Sequence, residues 1–235
     1  AIHTTTEAVK LAFADRDRYY GDPDFVSVPM TELLSSEYAA ARRALIDPRR
    51  ASLEHRPGRP SAAPAASSGR RAGAGAPRPV APARTDGDTT AIEVADAEGN
   101  LFSATPSSGW LLGGAFIAGD TGVPMSNRMQ AFRLDPASPN VVAGGKRPRT
   151  TLTPTIVLRD GRPFLAIGTP GGDSQDQQIL IVLQNVLDFG FDLQRAIEAP
   201  RFNSLHPESS FGDHRAQAGV LEIETSVPAD VRDEL

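Results

Sequence analysis

Apolar side chains recur at helical spacing near the start of the chain, where Val9, Leu11 and Phe13 follow the run Thr4-Thr5-Thr6. The threonines can cap a helix, Glu7 lies near its positive end, and Asp15 to Tyr20 extends it in a more polar register. Gly21-Asp22-Pro23-Asp24 then stops it. A second helix is predicted over residues 36–46, where four alanines favour helix and Tyr38, Leu45 and Ile46 supply an apolar stripe. From 56 to 88 the pattern vanishes. Pro, Ala, Gly, Ser and six Arg dominate, Val80 is the one large aliphatic residue, and such a stretch reads as a disordered linker.

At Thr89 the period changes to that of strands. Residues 90–95 and 101–105 flank Asp96-Ala97-Glu98-Gly99-Asn100 and predict an antiparallel hairpin. Further strands are expected at 114–118, 130–134, 155–158 and 164–167, the last two joined across Asp160-Gly161. Ile179, Leu180, Val182, Leu183, Val186 and Leu187 then recur at three and four residue steps, giving a long helix that Asp173 is expected to cap and that packs one sheet face. A shorter helix over 193–199 ends at Pro200, and a late strand is expected over 220–224. The fold class is therefore α+β: a helical segment over 1–55, the linker over 56–88, and a β-rich part with packing helices over 89–235.

Composition narrows the function. With 235 residues and 40% apolar side chains the chain can bury one core of ordinary domain size, or form two smaller pieces. A formal charge of -5, with cations scattered or held in the linker, speaks against a nucleic-acid partner. Cysteine is absent, so thiolate chemistry and disulfides are excluded, and no apolar run reaches the roughly 20 residues needed to cross a bilayer. His3, His55, His206 and His214 have no metal-ligand spacing. The first residue is Ala and the helical pattern begins at once, so a start further upstream is expected; the carboxy-terminal end also looks cut.

Three segments carry candidate chemistry. Asp86-Gly87-Asp88-Thr89-Thr90 ends the linker at a hydroxyl residue that opens a strand. A cut between Asp88 and Thr89 gives Thr89 an α-amine of pKa roughly 7.7 to 8.0, so one residue supplies nucleophile and base. An ordinary β-branched residue at the head of a strand is the plainer reading, and it stands beside the first. Gly168-Thr169-Pro170-Gly171-Gly172-Asp173 leads from a strand into a helix, and the amides of Gly171 and Gly172 could stabilise an oxyanion. That turn reads equally as a plain strand-to-helix connection; as a phosphate loop it lacks the Lys and Ser/Thr that follow the glycines. Lys146-Arg147-Pro148-Arg149-Thr150-Thr151 sets hydroxyls among cations, either to hold a substrate carboxylate or as a loop whose threonines satisfy backbone groups and whose cations are solvated.

Together these segments resemble the gamma-glutamyltranspeptidase family over most of the chain outside the linker. Residues 7–16 with Gly21-Asp22-Pro23-Asp24-Phe25-Val26 look like the end of the family's large subunit, and Asp88-Thr89-Thr90, Asp96 and Gly99-Asn100 like the start of its small subunit. Lys146-Arg147-Pro148, Thr153-Pro154-Thr155, Gly168 to Gly172 and Ala199-Pro200-Arg201-Phe202 follow in the family's order. The resemblance implies a four-layer αββα sandwich of the N-terminal nucleophile hydrolases, incomplete in this chain. It also implies self-cleavage before Thr89, two subunits from one precursor, a small amide or gamma-glutamyl substrate such as glutathione, and no metal or organic cofactor.

Carried over by position, Thr89 matches the nucleophile, Ser107 a Thr whose hydroxyl supports it, and Gly171 and Gly172 the oxyanion-hole amides. Thr150 and Thr151 match two Ser residues that hold the substrate carboxylate. Three positions depart from the family: Ala131 replaces an Asp that binds the glutamyl amine, Gly109 an Asn, and Arg128 a Gln. Loss of the carboxylate weakens glutamyl binding by a few kcal/mol, roughly, so an amide lacking that amine is an alternative substrate. Another alternative is an inactive remnant, favoured by the altered amine pocket and by the expected lack of the family's upstream part, which includes an Arg that binds substrate carboxylate.

Overall fold

The computed structural model describes residues 1–61, 89–109 and 116–235. Asp88 and most of the linker stretch lie outside the described residues, as do the first two residues of the strand expected at 114–118. The helices are α1 (Ile2–Tyr19), α2 (Met30–Leu33), α3 (Ser36–Arg43), α4 (Gln175–Leu187), α5 (Leu193–Glu198) and α6 (Ala229–Asp233). The strands are β1 (Ile92–Ala95), β2 (Leu101–Ala104), β3 (Thr155–Arg159), β4 (Arg162–Ile167), β5 (Phe202–Ser204) and β6 (Leu221–Ile223), paired as three antiparallel ladders, β1-β2, β3-β4 and β5-β6. The architecture is α+β. No helix among the described residues is long and apolar enough to cross a membrane.

The described residues form two compact units. Residues 1–61, 131–149 and 202–235 make up the first. Its core gathers on α1, where Val9, Leu11, Phe13, Ala14 and Tyr19 are buried, joined by Phe132 and Val227. The same helix buries Glu7, Lys10, Asp15 and Arg16. An uncompensated buried charge costs several kcal/mol, roughly, so each carboxylate recruits partners. Glu7 pairs with Lys10 and with Arg56 at 3.3 Å, and Asp15 pairs with Arg42 at 3.1 Å and accepts from Gly58 N at 2.5 Å. Tyr19 donates to the Gly58 carbonyl at 2.7 Å. Residues 52–58 are thereby strapped along α1, so the start of the expected linker is bound backbone.

The cations after residue 145 have the same use. Arg149 pairs with Asp17 at 2.9 Å and donates to Ser210 Oγ at 2.9 Å, with both charged side chains buried. Arg147 grips Asp22 through its backbone N at 2.7 Å and its Nη2 at 2.6 Å, and its guanidinium holds the Asp22 carboxyl well below the usual carboxylate range. Lys146, also buried, donates to the Pro139 carbonyl at 2.7 Å. The picture of a solvated basic loop is corrected: two of the three cations are buried, and each of the three has a protein partner.

The second unit comprises residues 89–109, 116–130 and 150–201. Asp160 and Gly161, at φ 52 and 75, form the two-residue turn between β3 and β4 that their identities predict. Its buried apolar residues are Ile179 and Ile181 on α4 and Ala196 on α5. The strands, by contrast, leave Ile92, Val94, Phe102, Ile156, Leu158 and Phe164 exposed. Gly109 lies at φ +103, where an added Cβ would lie 2.1 Å from Asn127 Oδ1.

Several expected boundaries shift. α1 begins at Ile2, with Thr5 N already donating to the Ala1 carbonyl and the Thr5 side chain buried, so the threonines lie inside the helix. α3 stops at Arg43, and Leu45 and Ile46 follow in i→i+3 turns. Residues 130–134 make no strand: a 3-10 helix spans Arg128–Ala131, and Arg133 bridges to Val141 in isolation. Asp173 does not cap α4, because positive φ at Gly171 and Gly172 inserts a 3-10 turn over Gly172–Ser174 before the helix starts at Gln175.

Two stability predictions arise here. His206 is buried, its Nδ1 accepts from Gly219 N at 3.3 Å, and burial followed by the Lys10 cation pushes its pKa below the ordinary 6.5. The unfolded chain therefore binds this proton more readily, and the stability that neutral His206 confers is full above pH 6.5, declines below it, and is lost as pH falls through the lower folded-state value. Urea midpoints should drop more between pH 7.5 and 5.5 for the wild type than for His206→Gln; equal drops would refute this. Gly109→Ala meets both backbone strain and a clash, and should lower stability by about 1–3 kcal/mol in denaturant titrations.

Candidate active site

Thr89 stands three residues ahead of β1 and is held there by the strand pairing, extended by Thr90 N donating to the Pro106 carbonyl at 3.1 Å. Ser107 lies just past β2 on the opposite side of that hairpin. The two hydroxyl oxygens are hydrogen-bonded at 2.7 Å. Ser107 Oγ also receives Gly109 N at 3.1 Å and Arg128 Nη2 at 2.8 Å.

The turn carrying Arg128 is hooked onto the loop after β2. Asn127 N and Ser126 Oγ both donate to the Ser108 carbonyl, at 3.0 and 2.9 Å, and Arg128 N donates to Ser126 Oγ at 3.1 Å. From this mount the guanidinium reaches Ser107 with Nη2 and Thr151 Oγ1 with Nη1, the latter at 3.3 Å. Thr151 is 3% exposed. Thr89, Ser107, Arg128 and Thr151 thus form one chain of side-chain hydrogen bonds. Thr150 stands apart: it is exposed and its Oγ1 accepts from Leu152 N at 3.2 Å.

The glycine turn enters the same neighbourhood through Gly168. A Cβ added there would sit 3.3 Å from the Ala91 Cβ, 3.2 Å from Thr105 Oγ1 and 2.5 Å from Glu93 Oε1, so the turn leaves β4 pressed against the hairpin that carries Thr89 and Ser107. Gly171 is exposed at φ +133, and its carbonyl accepts from Ser174 N at 3.1 Å and Ser174 Oγ at 2.8 Å. No hydrogen bond among the described residues joins Gly171 or Gly172 to Thr89.

Two features escaped the sequence reading. Arg128 stood out there only as a departure, without a role; its signal was a cation in a segment that otherwise offers neutral polar groups. The missing side chain at Gly109 has a counterpart in space, because the Asn127 amide fills the volume that a residue there would claim. Ala131, where an amine-binding Asp was expected by resemblance, is 1% exposed.

A family model described as gamma-glutamyltranspeptidase matches residues 1–235. The chain is 32% identical over 220 residues to the glutathione hydrolase proenzyme of Pseudomonas sp. (strain A14), covering 89% of this chain and 35% of the relative. It is 34% identical over 231 residues to the acylase ACY 1 proenzyme of Pseudomonas sp. (strain SE83), covering 98% and 35%. Among solved structures, LmbA2991HD superposes with a TM-score of 0.82 at 38% identity, over 100% of this chain and 40% of that one. Cephalosporin acylase from Bacillus halodurans does so with 0.75 at 29% identity, over 99% and 36%. The chain spans about a third of the length of the curated relatives it matches. A match along the whole chain, with structural likeness to an acylase, establishes that the chain belongs to the gamma-glutamyltranspeptidase family.

Proposed function

We propose that the full-length protein is an amide hydrolase or acyl transferase that matures by cutting itself between Asp88 and Thr89 and then uses Thr89 as nucleophile. The observation that carries this reading is the 2.7 Å bond between Thr89 Oγ1 and Ser107 Oγ at the head of β1. A rigidly mounted hydroxyl, already oriented by a second one, is what an N-terminal nucleophile requires. Proenzyme names among the relatives support the maturation step.

In the cut protein the free α-amine of Thr89 takes the hydroxyl proton as Oγ1 attacks the amide carbonyl carbon. The Oγ–C bond forms and the carbonyl electron pair moves onto oxygen, for which the Gly171 and Gly172 amides are the candidate donors. Collapse breaks the C–N bond, the amine departs with the proton, and an ester on Thr89 remains. Water hydrolyses that ester, or an amine accepts the acyl group. Thr150 and Thr151 are the candidate hydroxyls for a substrate carboxylate. The cut divides the chain into 1–88 and 89–235, the carboxy-terminal part of a large subunit and a small subunit. The exposed strand residues of the second unit are the faces that further layers of an αββα sandwich would cover.

The acyl group is gamma-glutamyl, as in glutathione, or a related one. A buried methyl group at Ala131 and a cation at Arg128 favour the second reading, a donor without the α-amine, and acylases among the relatives agree with it.

Intact mass and N-terminal sequencing of the full-length product test the maturation. A new N-terminus at Thr89, abolished in Thr89→Ala, is expected; a stable uncut wild-type chain would instead mark an inactive remnant. With processed enzyme, an acyl amide lacking the α-amine should show a kcat/KM at least about tenfold above its gamma-glutamyl counterpart, about 1.4 kcal/mol in transition-state binding. The reverse preference would return the assignment to gamma-glutamyl transfer.

A further inference from the structure

Continuing the pairing of β1 and β2 past their ends sets Glu93 opposite Ser103, Ala91 opposite Thr105 and Thr89 opposite Ser107. Alternate residues of a strand share a face, so these are three successive rungs on one side of the hairpin. Side-chain bonds mark the outer two, Ser103 Oγ to Glu93 Oε1 at 3.3 Å and Thr89 Oγ1 to Ser107 Oγ at 2.7 Å. Gly168 lies on the middle rung: a Cβ there would stand 3.2 Å from Thr105 Oγ1 and 3.3 Å from Ala91 Cβ, as well as 2.5 Å from Glu93 Oε1.

Gly171 and Gly172 sit at φ 133 and 58, where a side chain is strained, whereas Gly168 lies outside that region. Glycine at 168 therefore serves space, not backbone conformation. The three neighbours differ in how they yield to an added methyl group. Glu93 is exposed, and its carboxylate can swing aside. Ala91 has no torsion to turn, and Thr105 is 6% exposed and stiff at χ1. A side chain at 168 thus lifts the turn off the hairpin by a few tenths of an ångström, and a larger one lifts it further. Two residues along a strand cover roughly 6.7 Å, which separates the seat of Gly168 from the Thr89 rung. Gly171 follows three residues later, a reach of at most about 11 Å. The contact at 168 therefore lies between the proposed oxyanion donors and the hairpin that carries the proposed nucleophile.

We propose that Gly168 is a positioning residue: its bare Cα seats the 168–172 turn on the Ala91–Thr105 rung and so fixes the distance from the Gly171 and Gly172 amides to Thr89. This deepens the reading of Thr89 as nucleophile and of those amides as oxyanion donors, and rests on it. Donors that engage only the developing oxyanion act on the transition state, so displacing them lowers kcat and leaves KM in place.

The test uses processed full-length enzyme, with rates normalised to the fraction carrying Thr89 as N-terminus and thermal unfolding followed for each variant. The probe is whichever of gamma-glutamyl p-nitroanilide and its counterpart without the α-amine the wild type turns over faster. Gly168→Ala should lower kcat at least about tenfold with KM within about twofold, and Gly168→Val should lower it at least about a hundredfold. Ala91→Gly with Thr105→Ala removes the two groups that cannot swing aside, and in that background Gly168→Ala should cost no more than about twofold. Should Gly168→Ala alone not fold, the relieved background still decides, since Gly168→Val there should fall at least about tenfold below Gly168→Ala. Wild-type kcat in Gly168→Ala, an equal loss in both backgrounds, a loss carried by KM, or Val matching Ala in the relieved background would each overturn the role of Gly168 while leaving Thr89 as nucleophile. An uncut wild-type chain, or a processed one that turns over neither anilide, would overturn the underlying reading and this inference with it.

Discussion

Buried charge is the constraint on which the first unit depends. α1 carries acidic and basic residues into a low-dielectric interior, where a lone carboxylate is untenable, and every carboxylate found there draws in a segment from elsewhere. Glu7 and Asp15 bring residues 52–58 and α3 onto the helix, while Asp17 and Asp22, the latter just beyond its end, bring the loop at 147–149. Apolar packing on α1 supplies cohesion without direction; the ion pairs determine which segment lies where.

The second unit solves a different problem. Its strands are short and paired in twos, and its buried apolar residues lie on the helices, so rigidity at the candidate site comes from polar cross-links. Ser107 receives three of them and Arg128 connects that point to Thr151. Such a network is specific where a hydrophobic contact would be permissive, since each donor has to meet an acceptor.

Local chemistry made part of this legible in the sequence. The Asp160-Gly161 turn and the body of α4 follow from residue identity and spacing over a few positions. The start of α4 did not, because two consecutive glycines at positive φ add a turn that no helix pattern records. The strand expected at 130–134 failed for a related reason: Ala131 and Phe132 are buried, but the Ala131 carbonyl is satisfied by Asn140 Nδ2 at 2.7 Å in place of a ladder partner. Long-range pairings were invisible. Arg147 and Arg149 looked like solvated cations because their partners lie more than a hundred residues away in the chain. At the site, Thr89 was a candidate from its place at the head of a strand and Ser107 from family resemblance, whereas the bonds of Arg128 needed the geometry.

The pairs Asp17–Arg149 and Asp22–Arg147 have one acid before the bond between residues 88 and 89 and one base after it. Were that bond opened as proposed, these pairs would still join the two pieces. What would change is the way back from the unfolded state. An intact chain meets its partners at the effective concentration that its own length imposes, whereas separated pieces have to find each other by diffusion. The fold would then carry a memory of its precursor: assembled once as a single polypeptide, and afterwards preserved by slow escape, with no comparable route to assemble again in dilute solution.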